Sequence, residues 1–285
     1  MNFQDVFIII VLYKTRLEDS ITIQSLNESL DESITLMVFD NSPEKQYHLS
    51  YFKYNKFDIH YFNDCSNPGL SFAYNLALSN AIDKNYKWLL LLDQDTTITT
   101  EYIKELMSLD VERIPEKVVS IMPHVVSTLN HKLIAPVRMF KGGICRPVVL
   151  ESGVSQKSIS GINSGTLLSV SFMSAINGFS SSYSLDMLDH WYFREIKRND
   201  KEIYLLNSNI KQELSIYGNF EENLSVSRYY QLLNAENHFL KEDGIISFIL
   251  FKARLVYRFF KQLSYKNNKY SRITLSTIFH FSQIK

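Results

Sequence analysis

Four short and nearly continuous apolar runs constrain this chain more than any other feature: Phe7 to Leu12, Ile34 to Phe39, Phe57 to Phe62 and Trp88 to Leu92. Short, nearly continuous apolar runs of this kind are the pattern of strands buried on both faces of a parallel sheet covered by helices. Helical spacing fills the gaps. Ser20 to Leu30 is one such stretch, and Leu70 to Ile82 another, with Leu70, Ala73, Tyr74, Ala77, Leu78 and Ala81 on one face. The first 95 residues therefore read as βα units, and the fold class expected is α/β: an open, mostly parallel sheet flanked by helices, with a helical C-terminal extension.

Beyond residue 110 the pattern loosens. Val118 to Met122, Lys132 to Arg138 and Pro147 to Leu150 read as extra strands around an active-site loop, Ser184 to Arg198 as a helix, and the chain from Leu224 onward as all helix. The expected division is one domain over 1–240, with halves 1–110 and 111–240, and a basic extension over 241–285. With 45% hydrophobic and 21% charged residues over 285 positions, disordered and fibrous classes are excluded. Cys65 and Cys145 are too few for a disulfide scaffold and read as reduced core thiols of a cytoplasmic protein. Val6 to Leu12 lacks a basic leader and reads as a strand, not a signal peptide. No later apolar stretch approaches the roughly 18 residues of a membrane span.

In open α/β sheets ligands bind beyond the carboxyl ends of the strands. Those ends carry Tyr13-Lys14, Asp40-Asn41-Ser42, Asn67-Pro68-Gly69 leading to Asn75, and Asp93-Gln94-Asp95. Paired carboxylates after a buried strand suit Mg²⁺ or Mn²⁺ bridging a diphosphate, since these ions take one or two protein carboxylates and fill the rest with phosphate and water. The plainer reading is a helix cap, with Asp95 or Thr97 preceding Glu101. Asp40 can accept from a base or ribose, or simply close an Asx-turn. Asp186 and Asp189, three apart on a helix, share a face, beside Trp191 as a flat surface for a sugar; alternatively Asp186 caps the helix and Asp189 pairs with Arg194 or Lys197. Serine-hydrolase, P-loop and dinucleotide fingerprints are all missing.

Taken in order, Phe7 to Tyr13, Val38 to Ser42, Asn67 to Asn75, Leu91 to Asp95, Asn163-Ser164-Gly165 and Leu185 to Trp191 resemble family 2 inverting glycosyltransferases of the GT-A fold, closest to the rhamnosyltransferase-like branch of bacterial polysaccharide synthesis. The resemblance covers about residues 6 to 240. It implies that Tyr13, Asp40, Asn67, Asn75 and Asp93 bind a nucleoside-diphosphate sugar and that Asp95 with Asp93 holds Mn²⁺ or Mg²⁺. It further implies Asp189 as catalytic base, with Asp186, Trp191 and Gly165 at a saccharide or lipid-linked saccharide acceptor. One departure stands out: members of the family often carry a histidine beside a Leu-Ser pair after the base-bearing helix, where this chain has Gln212 before Glu213-Leu214-Ser215. A neutral amide is a poorer metal ligand, so a non-catalytic sugar-nucleotide scaffold or sensor of the same fold is the alternative. His190 falls at the site by sequence; His48, His60, His124, His131, His238 and His280 are scattered and read as structural.

Formal net charge is zero, yet residues 245–285 carry eight basic residues and no acid. Arg254, Arg258 and Lys261 fall on one side of the expected helix. That pattern suits either an interfacial helix on anionic lipid, with the protein peripheral on the inner face of the membrane, or docking on another protein surface. No nucleic-acid recognition motif accompanies it.

Overall fold

The computed structural model describes residues 1–155, 158–214 and 220–279, so Ser215, His280 and Lys285 lie outside the described residues. The chain divides into two compact units, 1–137 with 147–213, and 138–146 with 214–285.

The first unit is built on one sheet. Its N-terminal strands are β1 (Val6–Leu12), β2 (Ile34–Asp40), β3 (Tyr51–Tyr54), β4 (Phe57–Asn63) and β5 (Trp88–Asp93). They are followed by β6 (Val118–Val126) and β7 (Leu133–Ala135). The hairpin strands β8 (Val137–Phe140) and β9 (Ile144–Pro147) are not part of this sheet. β10 (Gly153–Ser155), β11 (Thr166–Ser169) and β12 (Glu202–Lys211) complete it. Strand order is β10-β12-β6-β11-β5-β1-β2-β4-β3, with β7 paired to β6.

The four apolar runs become β1, β2, β4 and β5, all mutually parallel where they pair. β1 is buried along its whole length, as the unbroken apolar run predicts. The sheet as a whole is mixed. β11 enters antiparallel between β5 and β6, and β3, β7 and β10 are antiparallel partners of β4, β6 and β12. Strand order reverses between β1 and β5, which is where a crevice opens beyond the carboxyl ends of an α/β sheet.

Helices α1 (Ile21–Ser29), α2 (Leu70–Asp83), α3 (Thr100–Ser108), α4 (Val170–Ala175) and α5 (Leu188–Arg198) cover this sheet. Ser20 caps α1 through Ile23 N, and Thr99, not Asp95 or Thr97, caps α3 through Tyr102 N. Asp95 is left without that structural duty.

In the second unit, α6 (Phe220–Asn223), α7 (Val226–Glu242), α8 (Ile245–Gln262) and α9 (Lys269–Phe279) pack together with the β8–β9 turn. Buried Tyr229, Gln262 and Thr274 close a hydrogen-bonded triangle of 2.6 to 2.7 Å edges. Glu236 on α7 accepts from Arg254 (2.9 Å) and from Arg258 (2.8 Å) on α8. These two arginines thus turn inward to a carboxylate, correcting the expectation that they line a solvated or lipid-facing side. Cys65 and Cys145 are exposed, in the loop after β4 and in β9, so neither is a core thiol.

Candidate active site

The site forms where β5 ends. Asp93 is the last residue of the strand, and the turn Gln94 to Thr97 is held from several sides. Thr22 Oγ1 donates to Asp93 O and Thr96 O, Ser20 Oγ donates to Gln94 O (2.8 Å), and Thr96 Oγ1 donates to Ser164 Oγ (2.7 Å). Ser164 Oγ in turn accepts from Asp93 N at 3.0 Å. Tyr13 N donates to Gln94 Oε1 (2.8 Å), which ties the ends of β1 and β5 across the point where strand order reverses.

Gln212, one residue past β12, bridges the pair of carboxylates: Nε2 donates to Asp93 Oδ2 (3.2 Å) and to Asp95 Oδ1 (2.9 Å). Gln212 is 4% exposed, and its Oε1 has no hydrogen-bond partner among the described residues. Burial and the neighbouring Asp95 charge push Asp93 up to about 7, against which the Gln212 hydrogen bond works. Burial also raises Asp95, although its side chain reaches the exterior at the rim.

Asp189, in the first turn of α5, joins this group. Its charge contributes to the upward shifts of Asp93 and of the buried Tyr74 and Tyr192 hydroxyls, for which burial is the main cause. Tyr74 OH lies beside Asp93 without a formed hydrogen bond. Asp189 Oδ1 accepts from His190 N at 2.7 Å, while Arg194 is within 3.8 Å of Glu195. The helix begins at Met187 with no side-chain cap, so Asp186 is not the N-cap. His190 Nδ1 and Ser160 Oγ are 2.6 Å apart. Trp191 is half-buried on α5.

Other expected residues fall into different settings. Asp40 is 0% exposed, and its carboxylate accepts from Tyr61 OH (2.6 Å), Ser42 N (2.9 Å) and Gln46 Nε2 (3.2 Å), which includes the Asx-turn. Asn75 clamps the loop before α5, donating to Phe179 O (2.8 Å) and accepting from Phe179 N (2.7 Å). Asn67 is exposed in a left-handed conformation at φ 52°, and Tyr13 is 42% exposed. At Gly69, φ is +93° and a Cβ would come within 2.4 Å of Ser184 O, so only glycine lets α2 start against that loop. Gly165, expected at the acceptor, is buried: its N donates to Leu91 O, its O accepts from Tyr102 OH, and a Cβ would press on Ile210. It serves the backbone path into β11.

Sequence reading missed Tyr74, Tyr192, Ser164, Thr96 and Thr22. Both tyrosines sit at helical core spacing, and the three hydroxyls give no signal until β11 and α1 are packed beside β5.

Two carboxylates at a strand end fit a divalent cation in the mode that leaves most positions to phosphate and water. No cluster of three or more His, Cys, Asp or Glu suited to a metal occurs among the described residues. Gln212 turns Nε2, not Oε1, to the two carboxylates, and Oε1 of the same amide is a further buried hard oxygen with no hydrogen-bond partner among the described residues.

No protein-family model matches the chain, and comparison with curated proteins finds no match in sequence. Solved structures do match in shape. GalNAc-T7 with UDP, GalNAc and Mn²⁺ superposes with a TM-score of 0.58 at 10% identity, covering 95% of this chain and 54% of that one. S. aureus TarS gives 0.55 at 14% identity over 95% of this chain and 55% of that one, and its 1-349 fragment gives 0.50 at 14% over 91% and 93%. The chain thus spans about half the length of the two longer proteins. Its fold is that of the GT-A glycosyltransferases: a mixed ten-stranded sheet flanked by helices, with a helical C-terminal region.

Proposed function

We propose that this chain is an inverting glycosyltransferase that moves one sugar from a nucleoside-diphosphate donor to an acceptor hydroxyl. The observation that carries the reading is the convergence of Asp93, Asp95, Asp189 and Gln212 beyond the end of β5 in a GT-A sheet. That GalNAc-T7 is seen with UDP, GalNAc and Mn²⁺ supports the donor class and the metal. The order of motifs favours a family 2 enzyme of the rhamnosyltransferase-like branch, acting in bacterial surface polysaccharide synthesis on a saccharide or lipid-linked saccharide.

In this reading Asp189 takes the proton of the acceptor hydroxyl as its oxygen bonds to the anomeric carbon, and the carbon–oxygen bond to the diphosphate breaks on the opposite face. Asp95 and Asp93 would hold a divalent cation, which supplies charge compensation for the departing nucleoside diphosphate. Tyr13 and Asn67 flank the nucleotide. Asp40 acts from below by fixing Ser42 and Gln46, and Asn75 by fixing the loop at Phe179. Asp186 and Trp191 orient the acceptor. Donor residues would come from 1–110 and acceptor residues from 111–240, of which 138–146 and 214–240 belong to the second unit.

Asp189→Asn is the test. It should lower kcat on the order of 10²- to 10⁴-fold and leave donor Kd unchanged. Near-normal turnover in Asp189→Asn with a dead Asp186→Asn would move the base to Asp186. One observation favours a second reading, a donor-binding scaffold: the Gln212 amide already occupies the gap between the two carboxylates. Donor binding with neither transfer nor donor hydrolysis would select it.

A further inference from the structure

The second unit has its own charge and its own apolar surface. Residues 138–146 with 214–285 hold 13 Lys and Arg against five Asp and Glu, so this unit is strongly basic while the first is correspondingly acidic. Along α8, Ile246, Ile249, Ala253, Val256, Phe260 and Leu263 recur at three- and four-residue spacing and all are exposed, Phe260 at 63% and Ile249 at 57%. Ile245, Leu250 and Tyr257 widen this stripe. Projected at 100° per residue, the exposed face spans roughly 160° and about 27 Å with a single charge, Lys261, at its edge. Its area is on the order of several hundred Å², at or above the largest apolar patch a soluble monomer usually shows.

The opposite side of α8 is not free to meet solvent or lipid. Phe248, Phe251 and Leu255 are buried there, and Arg254 and Arg258 are consumed by Glu236. Lys252 donates to Asn237 Oδ1 at 2.8 Å and to Thr277 O.

The hairpin from the middle of the chain extends the surface. Gly142 N donates to Ser247 Oγ (3.0 Å), and Gly143 O accepts from Arg254 Nη1 (2.5 Å). A Cβ at Gly142 would lie 2.9 Å from Leu250 Cβ, so the hairpin runs beside the α8 stripe. It adds exposed Phe140 and Ile144, and the exposed cations Arg138, Lys141 and Arg146. No acid lies in the hairpin, in α8 or in α9.

We infer that the α8 stripe and the 138–146 hairpin together form an in-plane membrane-binding surface that seats on bilayers rich in anionic lipid. The apolar side chains enter the headgroup boundary while the hairpin cations and Lys261 meet lipid phosphates. Charge complementarity decides the occupant. A second copy presenting the same face would bring like charges together around the stripe, whereas an anionic bilayer neutralises them. Membrane seating through this surface does not depend on sugar transfer.

The full chain is tested by co-sedimentation with phosphatidylcholine vesicles with and without phosphatidylglycerol. The expected result is binding that requires phosphatidylglycerol and weakens with salt. Ile249→Ser with Phe260→Ser should weaken it about 10-fold or more, and Lys141→Glu about fivefold, with unchanged circular dichroism and thermal midpoint. The Lys141 effect separates this surface from one made by the C-terminal helices alone. No binding to anionic vesicles, or binding that survives the Ile249/Phe260 double substitution, overturns the inference. A lipid-free dimer that the same double substitution converts to monomer overturns it in favour of a second copy.

Discussion

Asp93→Asn should stabilise the protein at alkaline pH, and the size of the effect follows from where the carboxylate sits. Burial, with the Asp95 charge beside it, moves Asp93 from 3.8 to about 7. At about 1.36 kcal/mol per unit, holding it ionised in the native state costs at most about 4 kcal/mol, and about 2 kcal/mol once relaxation and coupling to Asp95 are allowed for. The sign is set by proton binding. Between pH of about 4 and about 7 the folded chain keeps a proton that the unfolded chain has released, so stability falls as pH rises through that window. Above it the full cost is present. Asparagine has nearly the same shape and no charge, so the variant should show no such decline. Urea unfolding in chelator, followed by fluorescence, should find Asp93→Asn more stable than wild type by about 2 kcal/mol near pH 8 and equal to it near pH 4. Parallel stability profiles for the two proteins across this range would refute the placement of Asp93 as a half-buried carboxylate forced against Asp95. A divalent cation added at pH 8 should narrow the gap by stabilising the wild type.

Glu236→Gln should destabilise the helical unit by about 3 kcal/mol or more, because it leaves two inward guanidiniums without a counter-charge, and a double variant replacing Arg254 and Arg258 by Met should recover part of the loss. Burial alone would raise Glu236, but the two arginines outweigh it and hold its carboxyl below the ordinary range. Its contribution should therefore be present above the ordinary glutamate range and be lost as pH falls through its depressed folded value, as read from the thermal midpoint against pH. Asn75→Ala removes both bonds to Phe179 and should cost about 2 kcal/mol, with faster amide exchange at Gly178 and Phe179 as the local signature.

In the parallel half, β1, β2 and β5 are legible because they are buried on nearly every residue, so their apolar runs need no partner to be recognised, whereas β4 alternates buried with half-buried residues and is read from Phe57, Ile59 and Tyr61. β11 is a different case. Thr166 to Ser169 is short and preceded by polar residues, and it is a strand only because Gly165 lets the chain lie antiparallel against Leu91. The hairpin at 138–146 looks like two exposed β-like pieces, and its packing on α8 depends on residues more than 100 positions away. In the site, Asp93, Asp95 and Asp189 are visible because carboxylates at strand ends and in a first helical turn seldom serve the core. Arg254 and Arg258 mislead in the opposite direction: helical projection puts them together, but only α7 supplies the Glu236 that draws them inward. Gly165 belongs to a motif, and its positive φ and bond to Leu91 O shape the backbone into β11.

Sugar transfer requires first that the rim at Asp93 and Asp95 bind a nucleoside-diphosphate sugar. Calorimetric titration of UDP-, GDP- and dTDP-sugars with Mn²⁺ tests it most directly, with Asp95→Ala alongside. At least one donor should bind, adding about 2.7 kcal/mol of stability at a hundredfold excess over Kd, and Asp95→Ala should abolish this. Slow release of free sugar and nucleoside diphosphate is also expected when water replaces the acceptor. Absence of binding by every donor, with or without Mn²⁺, or equal binding by Asp95→Ala, would contradict donor binding at this rim.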